Sequence, residues 1–322
     1  MTLTLAVVLV LVGLVLLAGG GELLVRGATE LAELAGLTPA VIGLTVVAMG
    51  TSLPELVVSV MAAARGQPDL AVANVVGSNL ANLTLILGVT AVIMPLPIRG
   101  NLIKWEWPFL FVVTVACLLL SRDALLDRAE AGGFLVTLVL FVAWMVRLAR
   151  GEVTPAEAQA LGDEVRQRSL ARGFGPAGLA VAATLAGVAL LVVGGKLLVD
   201  GAVRLAELAG MTPRVIGLTI VAVGTSAPEI ATSIIAALRK HADVAVGNLI
   251  GSNIMNILGI LGTAGVVAPL PISAQLAGGD MQWMAATTLL LFPLMRMGMR
   301  LSRADGVLLM TAYGLYIWRA VW

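Results

Sequence analysis

Charge is scarce in this chain. Asp, Glu, Lys and Arg make up 12% of its 322 residues, about half the share of a soluble domain, while 59% are hydrophobic and the mean hydropathy is +1.02. That composition excludes an ordinary soluble domain and leaves a polytopic membrane protein, for which length is no guide to domain count. The formal net charge of +1 provides no basic excess, so nucleic acid is not an expected partner; the lipid bilayer is. Cysteine is nearly missing. Cys117 stands alone in an apolar run, which excludes disulfides and thiolate-held metals and leaves a small packed hydrophobe. The single histidine, His241, sits among Arg239, Lys240 and Asp243 and reads as an exposed loop residue, with proton sensing as the alternative.

What is abundant is long apolar sequence. Runs fall at 3–24, 38–64, 70–93, 105–121 and 131–149, and again at 176–198, 212–238, 243–267, 281–296 and 304–321. Each is close to the ~20 residues a bilayer requires, so ten transmembrane helices are expected. The first lacks a charged n-region and is long enough to span, so it reads as a retained helix rather than a signal peptide. Between the two sets lies the one long polar stretch, Arg150 to Gly175, expected to be a solvated linker.

The second set repeats the first at a constant offset of 174. Gly36-Leu37-Thr38-Pro39 matches Gly210-Met211-Thr212-Pro213, and the register holds without a gap through Pro95-Leu96-Pro97 and Pro269-Leu270-Pro271. Five spans per copy force the second copy upside down. The expected fold is therefore all-α, two inverted five-helix repeats at 1–149 and 176–322 joined by 150–175, a plan used by many secondary transporters. With both termini outside the cell membrane, thirteen Lys and Arg face the cytoplasm and seven face out, which is the favoured sense. Trp105, Trp107, Trp283, Trp318 and Trp322 fall near span ends, as interfacial aromatics do.

Within the repeats one hexapeptide is out of place in a membrane: Gly50-Thr51-Ser52-Leu53-Pro54-Glu55, and again Gly224-Thr225-Ser226-Ala227-Pro228-Glu229. A carboxylate at bilayer depth is costly and marks a functional site by default. Thr51, Glu55 and Ser59 share one helix face, as do Asn74, Ser78 and Asn82 on the next span; Thr225, Glu229, Ser233 and Asn248, Ser252, Asn256 repeat both stripes. Facing lipid, each stripe would be penalised, so the four should face one another or a wet cavity. Pro54 and Pro228 have no N–H for the carbonyl four residues back, which adds free backbone oxygen near Gly50 and Gly224. The sum is an all-oxygen set without thiolate or imidazole, suited to hard cations such as Na⁺ and Ca²⁺.

Each motif also has a plainer reading. A Gly-Thr-Ser-x-Pro kink alone can be structural, but a glutamate in both copies argues against that. Gly77 and Gly251 fit close helix approach. Asn79 and Asn253 lie off the stripes and fit packing or hydrogen bonding. Asp69 and Asp243, at matched span starts, fit N-capping better than ion binding.

Gly-Thr-Ser-x-Pro-Glu followed by Gly-Ser-Asn-x-x-Asn, twice in opposed halves, resembles the α-repeats of the cation/calcium exchanger superfamily, and most of all prokaryotic sodium/calcium exchangers. The resemblance spans essentially the whole chain. It implies a central diamond of Glu55, Asn82, Glu229 and Asn256. Around it the resemblance implies sodium ligands at Thr51, Ser52, Ser78, Thr225, Ser226 and Ser252, with backbone carbonyls at Ala48 and Ala222. Some prokaryotic members carry Asp where this chain has Asn256, a difference that bears on stoichiometry and potassium dependence. The animal exchangers share the Asn, but Arg150–Gly175 is too short for their calcium-sensing domain. The function implied is that of a Na⁺/Ca²⁺ secondary antiporter with Na⁺ and Ca²⁺ as substrates, no cofactor and no obligate protein partner. A proton-coupled calcium antiporter is the alternative. An intramembrane hydrolase lacks any nucleophile–base pair, and a cation channel would betray itself by single-channel currents.

Overall fold

The computed structural model describes residues 2–35, 39–152, 176–208, 210 and 222–321. The linker from 153 to 175, the start of the expected span at 212 and Trp322 lie outside these residues. The described chain is nearly all helix. Among the described residues six helices are long and apolar enough to cross a membrane, and a seventh candidate is a bent pair.

Helix α1 (Leu3–Ala35) is eleven residues longer than the apolar run that announced it. The charges at Glu22, Arg26 and Glu30 end the hydrophobicity but not the helix, because Leu, Glu, Ala and Arg are all good helix formers. Its counterpart α9 (Pro176–Leu208) overruns the expected 198 for the same reason. The two run antiparallel in close contact along glycines seven residues apart. A Cβ on Gly20 would stand 2.9 Å from the Gly187 carbonyl oxygen, and one on Gly194 2.9 Å from the Leu17 amide nitrogen. Only hydrogen at these positions lets the backbones meet.

The first-half motif begins with α2 (Pro39–Ile42), a π stretch Gly43–Val47 and α3 (Ala48–Thr51). A break at Ser52, with φ −82° and ψ 8°, turns the axis by 55° into α4 (Leu53–Ala64). The bend comes two residues before Pro54, which occupies the first turn of α4, where a missing N–H costs nothing. Helix α5 (Pro68–Leu80) continues through a π stretch, Ala81–Ile86, into α6 (Leu87–Ile93). After strand β1 (Leu96–Pro97) come α7 (Trp107–Leu120), β2 (Leu125–Leu126) and α8 (Arg128–Glu152).

The second half has the same plan. After α9 come α10 (Ala222–Thr225) and α11 (Ala227–Leu238), separated by Ser226 at φ −85° and ψ 11°. Helix α12 (Ala242–Ile254), the π stretch Met255–Leu261 and α13 (Gly262–Val267) form one buried rod. Then come β3 (Leu270–Pro271), α14 (Met281–Arg296), β4 (Arg300–Leu301) and α15 (Arg303–Val321).

The strands depart from the all-α expectation, and they cross between halves. Leu96 pairs with Leu301 and Leu126 with Leu270, so each Pro-Leu-Pro segment is tied to the segment before the other half's last helix. Ile98 N–H donates to the Met299 carbonyl and Ile272 N–H to that of Ala124, each at 2.9 Å. The last helix of each half follows its strand across: α15 packs on α6 at Gly88 and Gly306, and α8 on α13 at Gly262. The site helices lie at the centre of this interlock. In an 18-residue window of Ala242–Val267, 94% of the residues are buried, against 22% in one of Leu3–Leu31.

Asp69 and Asp243 do not cap their own helices. Gln67 and His241 hold the N-cap positions of α5 and α12. Asp69 instead accepts from the Ser273 N–H at 3.2 Å, and Asp243 pairs with Arg99 at 3.0 Å; both partners belong to the other half. One residue inside the helix, a carboxylate is better placed to reach a neighbouring chain segment than its own first turn. His241 is half-buried rather than exposed, because the tight turn before α12 seats it beside Glu22 and Arg239 around a hollow of about 230 Å³.

Candidate functional site

The two breaks, at Ser52 and Ser226, bring the repeated motifs face to face. Ser52 Oγ donates to Glu229 Oε1 at 3.1 Å, and Ser226 Oγ donates to Glu55 Oε1 at 3.2 Å. Each glutamate is thus held by the serine that breaks the opposite helix. Both glutamates are 1% exposed, and neither pairs with Lys or Arg among the described residues.

The neighbouring helices close the site from the sides. Asn74 Nδ2 donates to Ser59 Oγ at 2.9 Å and to the Glu55 carbonyl at 3.2 Å, binding the two first-half stripes together. Asn248 Nδ2 does the same to Ser233 Oγ at 3.1 Å. Across the halves, Thr51 Oγ1 lies 3.2 Å from Asn248 Oδ1, 3.5 Å from Ser252 Oγ and 3.3 Å from the Ala48 carbonyl oxygen. That carbonyl also accepts the Ser52 N–H at 3.1 Å. Asn82 and Asn256 both sit in π stretches, one residue past the switch from α geometry. Such turns recur at functional sites because they re-aim side chains.

What remains unbonded defines the chemistry. Glu55 Oε2, Glu229 Oε2, Asn82 Oδ1, Asn256 Oδ1 and Ser78 Oγ are all buried without a hydrogen-bond partner among the described residues. A buried acceptor left unmade costs about 1–3 kcal/mol, and more for a charged one. Four of the five are carboxylate or amide oxygens that can only accept, and the fifth is a hydroxyl. Oxygens from carboxylate, amide and hydroxyl groups are what a hard cation takes.

Of the residues expected at the site, Glu55, Asn82, Glu229, Asn256, Thr51, Ser52, Ser78, Ser226 and Ser252 are all buried at this junction. The backbone of Ala222 and Thr225 is helical in α10, but their side chains lie outside the described residues. A crevice of about 530 Å³ reaches the backs of the kinks at Pro54 and Pro228; its walls are apolar apart from Lys196 and Asp200 on α9.

Two features escape the sequence reading. Glu106 is 2% exposed at the end of the π stretch Leu102–Glu106, and Asp280 ends the matching stretch Leu276–Asp280, near Tyr316 and Arg319. The signal is there, since the two acids stand in apolar surroundings at the same offset of 174. The second is the glycine series 13, 20, 27 and 187, 194, 201 along α1 and α9, whose period of seven is plain in the sequence.

Comparison with known proteins settles the kinship. The family described as sodium/calcium exchanger protein matches residues 5–147 and 179–322. The chain belongs to this family. Among its relatives, CaxA of Alkalimonas amylolytica is 41% identical over 96% of both chains. The sodium/calcium exchanger MaX1 of Methanosarcina acetivorans is 32% identical over 95% of each. A structure of the sodium-calcium exchanger NCX_Mj, soaked with 10 mM Na⁺ and zero Ca²⁺, superposes with a TM-score of 0.84 at 29% identity, covering 98% of this chain and 99% of that one. The exchanger's two family segments coincide with the two sets of helices, and the gap between them spans the polar linker. Family and neighbours are membrane transporters rather than enzymes, and cation/calcium antiport is the activity they share.

Proposed function

We propose that this exchanger carries Ca²⁺ against Na⁺ as a secondary antiporter of the cell (inner) membrane, by alternating access between two inverted halves, 1–149 and 176–322, of five transmembrane helices each. The cation would be held by Glu55, Asn82, Glu229 and Asn256, with Thr51, Ser52, Ser78, Thr225, Ser226 and Ser252 and the Ala48 and Ala222 carbonyls serving sodium. The observation that carries this reading is that five oxygens of the repeated motifs, drawn from both halves, are buried without a hydrogen-bond partner among the described residues.

Formal charge sharpens the proposal. With Asn82 and Asn256 neutral, Glu55 and Glu229 supply at most two negative charges, which one Ca²⁺ balances. Three Na⁺ would leave the loaded carrier with one positive charge, so a 3:1 exchange moves charge across the membrane and responds to voltage by ~2.3 kcal/mol per 100 mV.

Polar contacts fit the proposed order of crossings, whichever face is outside. Glu22 with Arg239, Asp243 with Arg99, and Arg303 with the Val92 carbonyl each join residues assigned to the cytoplasmic face. Asp69 with Ser273 joins two assigned to the outer face.

The test is calcium-45 flux in liposomes under imposed Na⁺ or pH gradients, at potentials clamped with valinomycin. Uptake driven by an outward Na⁺ gradient and altered by voltage is expected. Uptake driven by a pH gradient and indifferent to Na⁺ would replace this reading with the proton-coupled one.

A further inference from the structure

Four asparagines, two in the π stretches and two just before them in α5 and α12, are bonded crosswise. Asn253 Oδ1 accepts from Asn82 Nδ2 at 3.2 Å, and Asn79 Oδ1 accepts from Asn256 Nδ2 at 2.9 Å. Each bond joins one half to the other, and all four side chains are buried. In both cases the amide nitrogen of the site residue donates across the halves, and its carbonyl oxygen, Asn82 Oδ1 or Asn256 Oδ1, has no partner among the described residues.

We propose that Asn79 and Asn253 are positioning residues that fix which end of the Asn82 and Asn256 amides faces the cation, and that they thereby set its affinity. This rests on the reading of Asn82 and Asn256 as cation ligands. The physical need is plain. A primary amide has two ends of nearly the same shape, one an acceptor and one a pair of donors. Turned the wrong way, it presents N–H groups to a cation and repels it. An acceptor held opposite the nitrogen removes that second state.

The two locks are themselves held differently. Asn79 Nδ2 is anchored by the Asn253 carbonyl at 3.4 Å and by Met284 Sδ at 3.6 Å. Asn253 Nδ2 has no hydrogen-bond partner among the described residues, so that side chain is oriented by the bond it accepts. Neither residue is hydrogen-bonded to the unpartnered glutamate oxygens, so the effect passes through Asn82 and Asn256. An aspartate in place of either ligand has oxygen at both ends and needs no lock.

The experiment is a set of double-mutant cycles read as the KM for Ca²⁺ in liposome uptake. Asn79→Leu and Asn253→Leu should each raise KM by roughly 5–10-fold, the scale of one buried hydrogen bond, with maximal flux little changed. In an Asn256→Asp background, Asn79→Leu should change KM less than about twofold, and Asn253→Leu should do likewise in Asn82→Asp, since a tenfold ratio corresponds to about one such bond. The crossed combinations, Asn79→Leu with Asn82→Asp and Asn253→Leu with Asn256→Asp, should keep the full penalty. A merely structural role would not sort the pairs this way; where a leucine variant fails to fold, alanine replaces it. Equal penalties in matched and crossed backgrounds would overturn the positioning role alone. If Asn82→Ala and Asn256→Ala themselves leave KM unchanged, the ligand assignment falls, and the positioning role with it.

Discussion

The two halves agree at the centre and disagree at the rim. Ser52 with Glu229 mirrors Ser226 with Glu55, and Asn82 with Asn253 mirrors Asn256 with Asn79. At the rim the matched positions part company. Glu22 of α1 takes Arg26 at 2.6 Å and Arg239 at 3.0 Å, whereas the positions matching Glu22 and Arg239 at the same offset carry Lys196 and Arg65, two like charges. The turn after α4 uses Gly66 at φ 72°, while the turn after α11 forces Lys240 to φ 64°. Where both halves build one object, duplication has kept the chemistry paired. Where each half meets solvent or lipid, the copies have been free to differ.

The largest effect should come from breaking the paired centre. Glu55→Gln or Glu229→Gln removes one of two charges, leaving a bound divalent ion uncompensated by several kcal/mol. Calcium-45 flux should fall more than about a hundredfold, on that same scale, in protein that still elutes as a folded species. Near-normal flux in either variant would show that the pairing does not serve transport.

Next in size are the glycines where α1 meets α9. Gly20→Ala puts a methyl 2.9 Å from a backbone carbonyl oxygen and should destabilise by about 1–3 kcal/mol. Gly19→Ala, one residue away with nothing within 4 Å of its Cβ position, should be neutral or stabilising by up to about 1 kcal/mol. Thermal unfolding of the purified variants separates the two; equal shifts would mean the helices are not in contact along this seam.

The rim predictions are smaller. Glu22→Ala should cost about 0.2–1 kcal/mol, as partly exposed pairs do, while Lys196→Ala should cost nothing or stabilise. Lys240→Gly relieves a left-handed backbone and should gain about 0.5–1 kcal/mol after the extra chain entropy of glycine. Gly66→Lys should lose a similar amount. Melting temperatures moving in the same direction for these last two would contradict the turn assignment.

These contrasts also show what is legible in sequence. The motif residues are, because a carboxylate or a stripe of hydroxyls and amides in apolar surroundings has few inexpensive places to go, and a gapless repeat says it went there twice. The interlock is not: two-residue strands such as Leu96–Pro97 carry no periodicity, and their partner at Leu301 is fixed only by the packing of α15. Asp69 and Asp243 mislead because a carboxylate in a first turn looks the same whether it serves its own helix or a neighbour. Helix α1 outruns its apolar stretch because hydrophobicity marks the membrane rather than the helix end. Glu106 is hidden inside a run whose average is apolar.

The central claim is that two halves make one cation site, and equilibrium binding of calcium-45 to the purified chain tests it most directly. One saturable Ca²⁺ per chain is expected, displaced by Na⁺ and lost in Glu55→Gln and in Glu229→Gln alike. Two independent sites, or one that survives either substitution, would contradict it.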